Sequence, residues 1–292
     1  MKHLLLIDSH ALIHRMYHAM APLTGPNNEP VGAIYGLAKI FLKIRKEVRP
    51  EYIAACFDRP EPTFRAEQYS EYKATRTKAD DDLIWQIENI STLFDLFKIK
   101  SFEAAGFEAD DLIGTLAKRY QDEKGLQTVI FSGDKDLLQL VKDNDVVVDL
   151  IRPRGEVKQY NQALVEEEFG IKPEQIIDLK GLTGDTSDNI PGVQGIGPKS
   201  AAPLIKEWGS VEEIFENLVI INPKIAKKLE GQKDIALLSK KLATIETNAP
   251  IYTDSLEDLK TVPLNIEEIK NYFNHLGFVS LISELDALAL TN

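Results

Sequence analysis

Cysteine is almost absent: the 292 residues hold one, Cys56, inside the apolar run Tyr52 to Asp58. A lone thiol excludes a disulfide framework and suits a reducing cytosol, and its apolar neighbours describe a buried small hydrophobe. Long apolar runs are missing too. The N-terminal stretch Leu4 to Ile7 is broken at once by Asp8, which leaves no signal peptide, targeting segment or membrane span to be read. No internal repeat and no low-complexity tract interrupts the chain. With 43% hydrophobic and 27% charged residues, it describes a soluble globular protein with one large core or a core plus a smaller satellite.

An excess of positive charge is also lacking. The formal net charge is −12, whereas phosphate binding normally leaves a basic footprint. Where the charges stand matters more than their sum. Nine acids, Asp8, Asp58, Glu108, Asp110, Asp111, Asp134, Asp136, Asp185 and Asp188, fall at strand tips, in tight doublets or beside glycine-rich turns, and without them the balance is −3. Carboxylates gathered in one place raise each other's pKa, so such a group stays ionised only beside cations. All-oxygen donors favour magnesium or manganese over zinc, and two such ions about 4 Å apart are the usual apparatus for cutting a phosphodiester. Basic residues gather in blocks: Lys39, Lys43, Arg45, Lys46 and Arg49; Arg65, Lys73, Arg76 and Lys78; and six lysines between Lys224 and Lys241. Any one block reads as a solvated helix face; three beside an acid cluster tilt modestly toward nucleic acid.

The hydrophobic pattern predicts strands at His3 to Asp8, Tyr52 to Asp58, Thr128 to Ser132 and Val146 to Ile151, with a weaker one at Ile99 to Glu103. Helical spacing fills the gaps, as in Ile34, Leu37, Ile40, Phe41 and Ile44, and in Ile84, Ile87, Ile90, Leu93, Phe94 and Phe97. The expected fold is α/β, a mostly parallel central sheet flanked by helices, over residues 1–180. Beyond about Asp178 strand signals stop, and Lys-rich helices such as Ala226 to Ile245 predict a helical lobe over 181–292. Open α/β sheets bind ligands beyond the carboxyl ends of their strands, and that is where these acids fall.

Taken singly, the motifs are ambiguous. Glu108, Asp110 and Asp111 suit a metal site or the first turn of a helix, Asp134 and Asp136 a site or a cap, and Asp185 and Asp188 a site or an Asx-rich turn. Gly192, Gly195 and Gly197, followed by Pro198 and Lys199, suit backbone amides gripping phosphate at a helix start, or a tight turn needing positive φ. The stretch Phe64 to Lys78 mixes Tyr69 and Tyr72 with Arg65, Lys73, Arg76 and Lys78, a composition for single-stranded nucleic acid; the tyrosines, three apart, also suit a packing pair. Arg15 and Tyr17, just past Asp8, either face the site or pack.

The segments IDSHALIHRMYHA, FDRPEPTFRAEQYSEYKATR, GFEADDLIGTLA, SGDKDLLQL and LTGDTSDNIPGVQGIGPKSA occur in the order and spacing of the bacterial DNA polymerase I 5′ nuclease domain, and the chain resembles that flap endonuclease family over nearly its whole length. The resemblance implies a 5′-to-3′ exonuclease and structure-specific flap endonuclease acting on branched DNA in replication and repair, cytoplasmic and monomeric, with a polymerase domain in cis or in trans. It implies two Mg2+ or Mn2+ ions, the first held by Asp8, Asp58, Glu108, Asp110 and Asp111, the second by Asp134, Asp136, Asp185 and Asp188. It further implies a helical arch over about 60–98, with Lys73 and Arg76 approaching the scissile phosphate. Gly192, Gly195, Gly197 and Lys199 match its helix-hairpin-helix, which holds duplex DNA and often a monovalent cation such as K+. Arg15, Tyr17 and Tyr72 join the expected DNA-contacting set. Two positions depart from the pattern: Ser9 stands where the family has glycine, and Pro203 falls past the first turn of its helix. A PIN-like ribonuclease would share the acid cluster without needing the glycine hairpin, and a non-catalytic branched-DNA binder would keep the hairpin while losing acids.

Overall fold

The computed structural model describes residues 1–76, 78–143, 145–152 and 156–289; Thr77 of the expected arch and the last residues of the expected second lobe, 290–292, lie outside them. Six strands form one sheet in the order β3-β2-β1-β4-β5-β6: β1 Lys2–Asp8, β2 Tyr52–Cys56, β3 Lys100–Phe102, β4 Leu126–Ser132, β5 Val146–Ile151 and β6 Val157–Tyr160. The first five are parallel, and β6 pairs antiparallel with β5. Sequence reading missed β6 because it is a short edge strand with polar Lys158 and Gln159 at its centre and only Tyr160 buried. Strand β2 stops at Cys56, so Asp58 lies in the loop beyond it rather than in the strand.

The register explains the convergence of the acids. Asp8 pairs with Cys56 on one side, and Ile7 with Phe131 on the other, so the carboxyl ends of β1, β2 and β4 finish level. Residues Leu4 to Ile7 are at most 1% exposed, as a strand covered on both faces requires. Helices follow in chain order: α1 Ser9–Ala19, α2 Gly32–Lys43, α3 Phe64–Gln68, α4 Asp81–Asn89, α5 Ser91–Leu96, α6 Ala109–Tyr120, α7 Gln162–Phe169, α8 Ile176–Thr183, α9 Pro198–Trp208, α10 Val211–Glu216, α11 Pro223–Leu229, α12 Lys233–Ala243, α13 Ile266–His275 and α14 Val279–Ala289. Among the described residues no helix is long and apolar enough to cross a membrane.

Several expected boundaries move. The lobe division expected at residue 180 falls inside α8, and one core runs unbroken from Leu4 and Leu6 through Leu112 to Leu182, Ile205 and Leu229. At the other end of the chain, Phe273 and Phe278 with Leu281 and Leu285 pack with Leu5, Ile7 and Leu37 on the opposite face. The amphipathic α13 and α14 therefore return to the sheet instead of extending the second lobe, because the face above β1 needs their apolar stripes. The helix expected from Ala226 to Ile245 breaks at Gly231, whose φ of 73° no helix accommodates. After Asp134, read from the sequence as a site residue or a cap, a 3-10 turn forms over Asp136–Leu140. Within the expected arch, α3 ends at Gln68 and non-helical turns follow, with Lys73 at φ 56°. The polar run from Ser70 to Thr75 has no apolar stripe with which to dock a helix. Ser9 is fully buried and its hydroxyl has no partner, a cost that glycine in its place would not carry. Pro203 is tolerated: α9 runs through it to Trp208.

Candidate active site

Each acid reaches the sheet edge by a local device. Asp8 closes β1 and caps α1, its Oδ1 accepting from the Ala11 amide at 3.1 Å, while its Oδ2 accepts from the Ser132 hydroxyl at 2.6 Å across the β1–β4 pair. In the loop beyond β2, Asp58 Oδ1 accepts from the Ala109 amide at 2.7 Å, which ties that loop to the start of α6. Glu108 precedes α6 as its N-cap. Past β4, the Asp134 amide donates to Ser132 Oγ at 2.9 Å, and Asp134 Oδ1 accepts from the Asp136 amide at 2.9 Å. The outcome is a cavity of about 260 Å³ lined by Asp8, Asp58, Glu108, Asp110, Asp134, Asp136 and Asp188, seven of the nine expected acids, together with Lys73, Arg76, His10 and His14.

Crowded, buried carboxylates resist ionisation here. Burial, reinforced by Asp58 and Asp134, pushes the Asp8 carboxyl up to about 7 against the Ser132 hydrogen bond. Burial and neighbouring Asp134 take Asp136 to about 7 as well, and burial with Asp111 nearby raises Asp110. Cations of the chain itself relieve the rest. Lys73 Nζ lies 2.7 Å from Glu108 Oε1, and Arg76 Nη2 lies 2.6 Å from Asp188 Oδ1. Lys180 Nζ bridges Asp136, at 2.6 Å, and Asp185. As the side chains stand, no three His, Cys, Asp or Glu groups among the described residues are gathered tightly enough to hold one metal ion.

Two expected ligands do not line the cavity. Asp111 is fully buried and holds Arg65 bidentately, at 2.7 and 2.8 Å, while also accepting from the amides of Glu108 at 3.0 Å and Glu246 at 2.8 Å. Its carboxylate has no open lone pair to offer, so the structure corrects its reading as a ligand: it anchors α6 and Arg65. Asp185 stands behind Lys180; although burial raises it, the Lys180 ammonium and Ser187 hold it down to about 2. Tyr72, placed in the expected DNA-contacting set, takes the alternative reading of a packed residue. Its ring is 7% exposed, packed with Ile190 and Leu242, and its hydroxyl donates to Glu108 Oε2 at 3.0 Å. Tyr17 reaches Asp80 at 3.2 Å, and Arg15 lies against Gly133, where a Cβ would stand 3.0 Å from its Nε.

The glycines divide by role. A Cβ on Gly192 would stand 2.2 Å from the Gly184 nitrogen, and the Gly192 amide donates to Ser239 Oγ at 3.0 Å, so this glycine serves backbone packing and not an anion. Gly195 and Gly197 instead leave their amides without partners among the described residues, at the start of α9 and beside exposed Lys199. Lys180 and His10 escaped sequence reading, and Arg65 was read only as one of a basic stretch, not as the buried partner of Asp111. Lys180 and Arg65 act through contacts between distant segments, whereas His10 and His14, one helical turn apart after Asp8, carried a visible spacing signal.

Comparison with known proteins agrees with this geometry. The family model for 5′-3′ exonuclease, N-terminal resolvase-like domain, matches residues 3–170, and that for 5′-3′ exonuclease, C-terminal SAM fold, matches residues 171–267. DNA polymerase I of Bacillus subtilis is 40% identical over 97% of this chain, and the thermostable DNA polymerase I of Thermus thermophilus is 39% identical over 97%. The chain spans about a third of those relatives, 32% and 33% of their lengths. Among solved structures, T5 5′-exonuclease with zinc bound superposes with a TM-score of 0.69 at 26% identity, over 84% of this chain and 90% of that one. The catalytic core of Rad2 in complex with DNA shares the fold alone, with a TM-score of 0.65 at 16% identity over 98% of this chain and 92% of that one. Both halves of the molecule, the sheet that carries the acids and the helices that follow it, thus place the chain in the 5′-3′ exonuclease family.

Proposed function

We propose that this 5′-to-3′ exonuclease also cuts branched DNA at 5′ flaps, and that two divalent ions, Mg2+ or Mn2+, serve it. One observation carries the reading: seven carboxylates converge beneath Lys73 and Arg76 in a single cavity at the carboxyl edge of a parallel sheet. The donor set fits hard divalent cations, being nearly all oxygen, with Asp8 and Asp136 raised to about 7 by burial and by their acidic neighbours. Asp8, Asp58, Glu108 and Asp110 would hold one ion, and Asp134, Asp136 and Asp188, with Asp185 behind Lys180, the other. Bound there, such ions supply an acidified water and neutralise charge on the phosphate. Lys73 and Arg76 turn their donors from Glu108 and Asp188 toward the non-bridging oxygens, where negative charge grows. Water adds at phosphorus and the P–O3′ bond breaks, leaving a 5′-phosphate and a 3′-hydroxyl. Gly195, Gly197 and Lys199 grip duplex phosphates without reading bases, with K+ as a candidate companion at that hairpin. A polymerase domain, in cis or in trans, and a monomeric state complete the proposal.

Cleavage of a labelled double-flap DNA tests it, with product mapping. Cutting at the flap base in Mg2+, none in EDTA, and no cutting of single-stranded RNA are expected; RNA cleavage favours a ribonuclease, and DNA binding without cleavage a binding module. A second expectation concerns pH. A carboxyl whose pKa is raised on folding stabilises the folded chain at low pH, and Asp8, moved from 3.8 to about 7, loses that contribution as pH climbs through this interval. Asp185, held down to about 2, loses stability only as pH falls below about 4, outside that window. In EDTA the protein should therefore melt lower at about pH 8 than at about pH 5, and Mg2+ should narrow the gap by replacing the proton. Thermal melts at both pH values check this, and a melting point that rises with pH in EDTA contradicts it.

A further inference from the structure

His10, the second residue of α1, stands on the cavity wall beside Asp58. Its Nδ1 accepts the amide hydrogen of Asp58 at 3.1 Å. A backbone amide keeps its hydrogen, so Nδ1 must present its lone pair, and the one hydrogen of the neutral ring sits on Nε2. That tautomer rules the ring out as a metal ligand, because an Nε2 carrying hydrogen has no lone pair for a cation. It leaves a donor. Among the described residues Nε2 has no partner, and the side-chain polar atoms that are both buried and unpartnered are the Ser9 hydroxyl and Arg45 Nε. The His10 Nε2–H is therefore open to the cavity, into which 19% of its side chain is exposed. Phe57 packs against the imidazole at 86° with centroids 6.1 Å apart, which holds the ring's orientation.

Donors that share this cavity include the Lys73 ammonium, the Arg76 guanidinium and the His10 imidazole N–H. The first two are charged and already engage Glu108 and Asp188; the third is neutral, fixed by the backbone and unengaged. A neutral donor contributes a hydrogen bond without adding charge that would repel bound cations. We propose that His10 is a substrate-contacting residue whose Nε2–H donates to a non-bridging oxygen of the phosphodiester held in the cavity, an inference that rests on the nuclease reading above.

Kinetics of the full chain on a labelled 5′-flap DNA test it, the scissile phosphate being either natural or a methylphosphonate of each configuration. Loss of one such donor should lower kcat/KM of His10→Ala about 10- to 100-fold, mostly in kcat. His10→Gln, whose amide can reach the same place, should regain most of that loss. In one methylphosphonate diastereomer the contacted oxygen is gone, so His10→Ala should cost nothing further there while still costing its full factor with the other. Nε2-methylhistidine at position 10 keeps the Nδ1 acceptor and removes only the donor. It should match His10→Ala, which keeps the test decisive where the alanine variant folds poorly. Wild-type rates in the methylated protein, a glutamine variant as slow as alanine, or losses that multiply with both diastereomers overturn the proposal. Wild-type protein that leaves the flap uncut in Mg2+ removes the nuclease reading and this inference with it; wild-type cutting alongside unaffected variants removes His10 alone.

Discussion

Replacing Asp134 with alanine should slow flap cleavage about 1000-fold or more, a loss of about 4 kcal/mol in transition-state stabilisation, while affinity for the same flap in Ca2+ changes less than about threefold. Asp134 suits this test because it contributes little to the fold. Its side chain is exposed, and among the described residues its one side-chain hydrogen bond accepts the Asp136 amide at 2.9 Å. Asp188 is a poorer choice: it anchors Arg76 at 2.6 Å and Tyr72 at 3.3 Å, so its removal also frees the turns above the cavity. Single-turnover rates decide the matter. A cleavage rate within about tenfold of wild type removes Asp134 from the proposed metal-holding set.

Arg65→Ala should lower stability by about 3–5 kcal/mol, because it leaves the Asp111 carboxylate buried with no counter-charge. Arg65 is 2% exposed; besides its fork onto Asp111, its Nε donates to the Leu242 carbonyl at 2.9 Å and its Nη2 to the Thr244 carbonyl at 2.9 Å. One side chain therefore ties α3, α6 and the end of α12 together beside Glu108. For a chain of this size the melting temperature should fall by about 10 °C, and Arg65→Lys should recover only part of it, since an ammonium cannot form the bidentate pair. Denaturant and thermal melts check this; a cost below about 1 kcal/mol means that Asp111 has found another partner.

The acid positions were legible because strand and site are written in the same residues. Leu4 to Ile7 is apolar enough to declare a doubly covered strand, and Asp8 interrupts it at the level where a parallel sheet presents its ligands. Glu108 and Asp111 looked alike in sequence. What separates them is Arg65, which reaches Asp111 only after α3 has folded beneath α12, a contact that no local pattern announces. The same limit hid Lys180, whose partner Asp136 comes from another segment. Helix α13 shows a different failure. It fell in the helical lobe expected over 181–292, but a helical pattern does not say which surface a stripe will cover, and Ile269 and Phe273 went back to the sheet. Gly231 was readable as a helix breaker, yet the lysines on both sides of it suggested continuity.

Strand β1 is hydrogen-bonded on both sides along its length, whereas the segment that brings Lys73 and Arg76 over the cavity is a run of turns whose ties to the core include Lys73 N to Asp188 O at 2.9 Å and Asn189 Nδ2 to Glu71 O at 2.7 Å. Pairing is therefore distributed very unevenly around one small space: continuous strand ladders below, and separate hydrogen bonds and ion pairs between turns above. Local opening therefore falls to the turns above before it reaches the strands below.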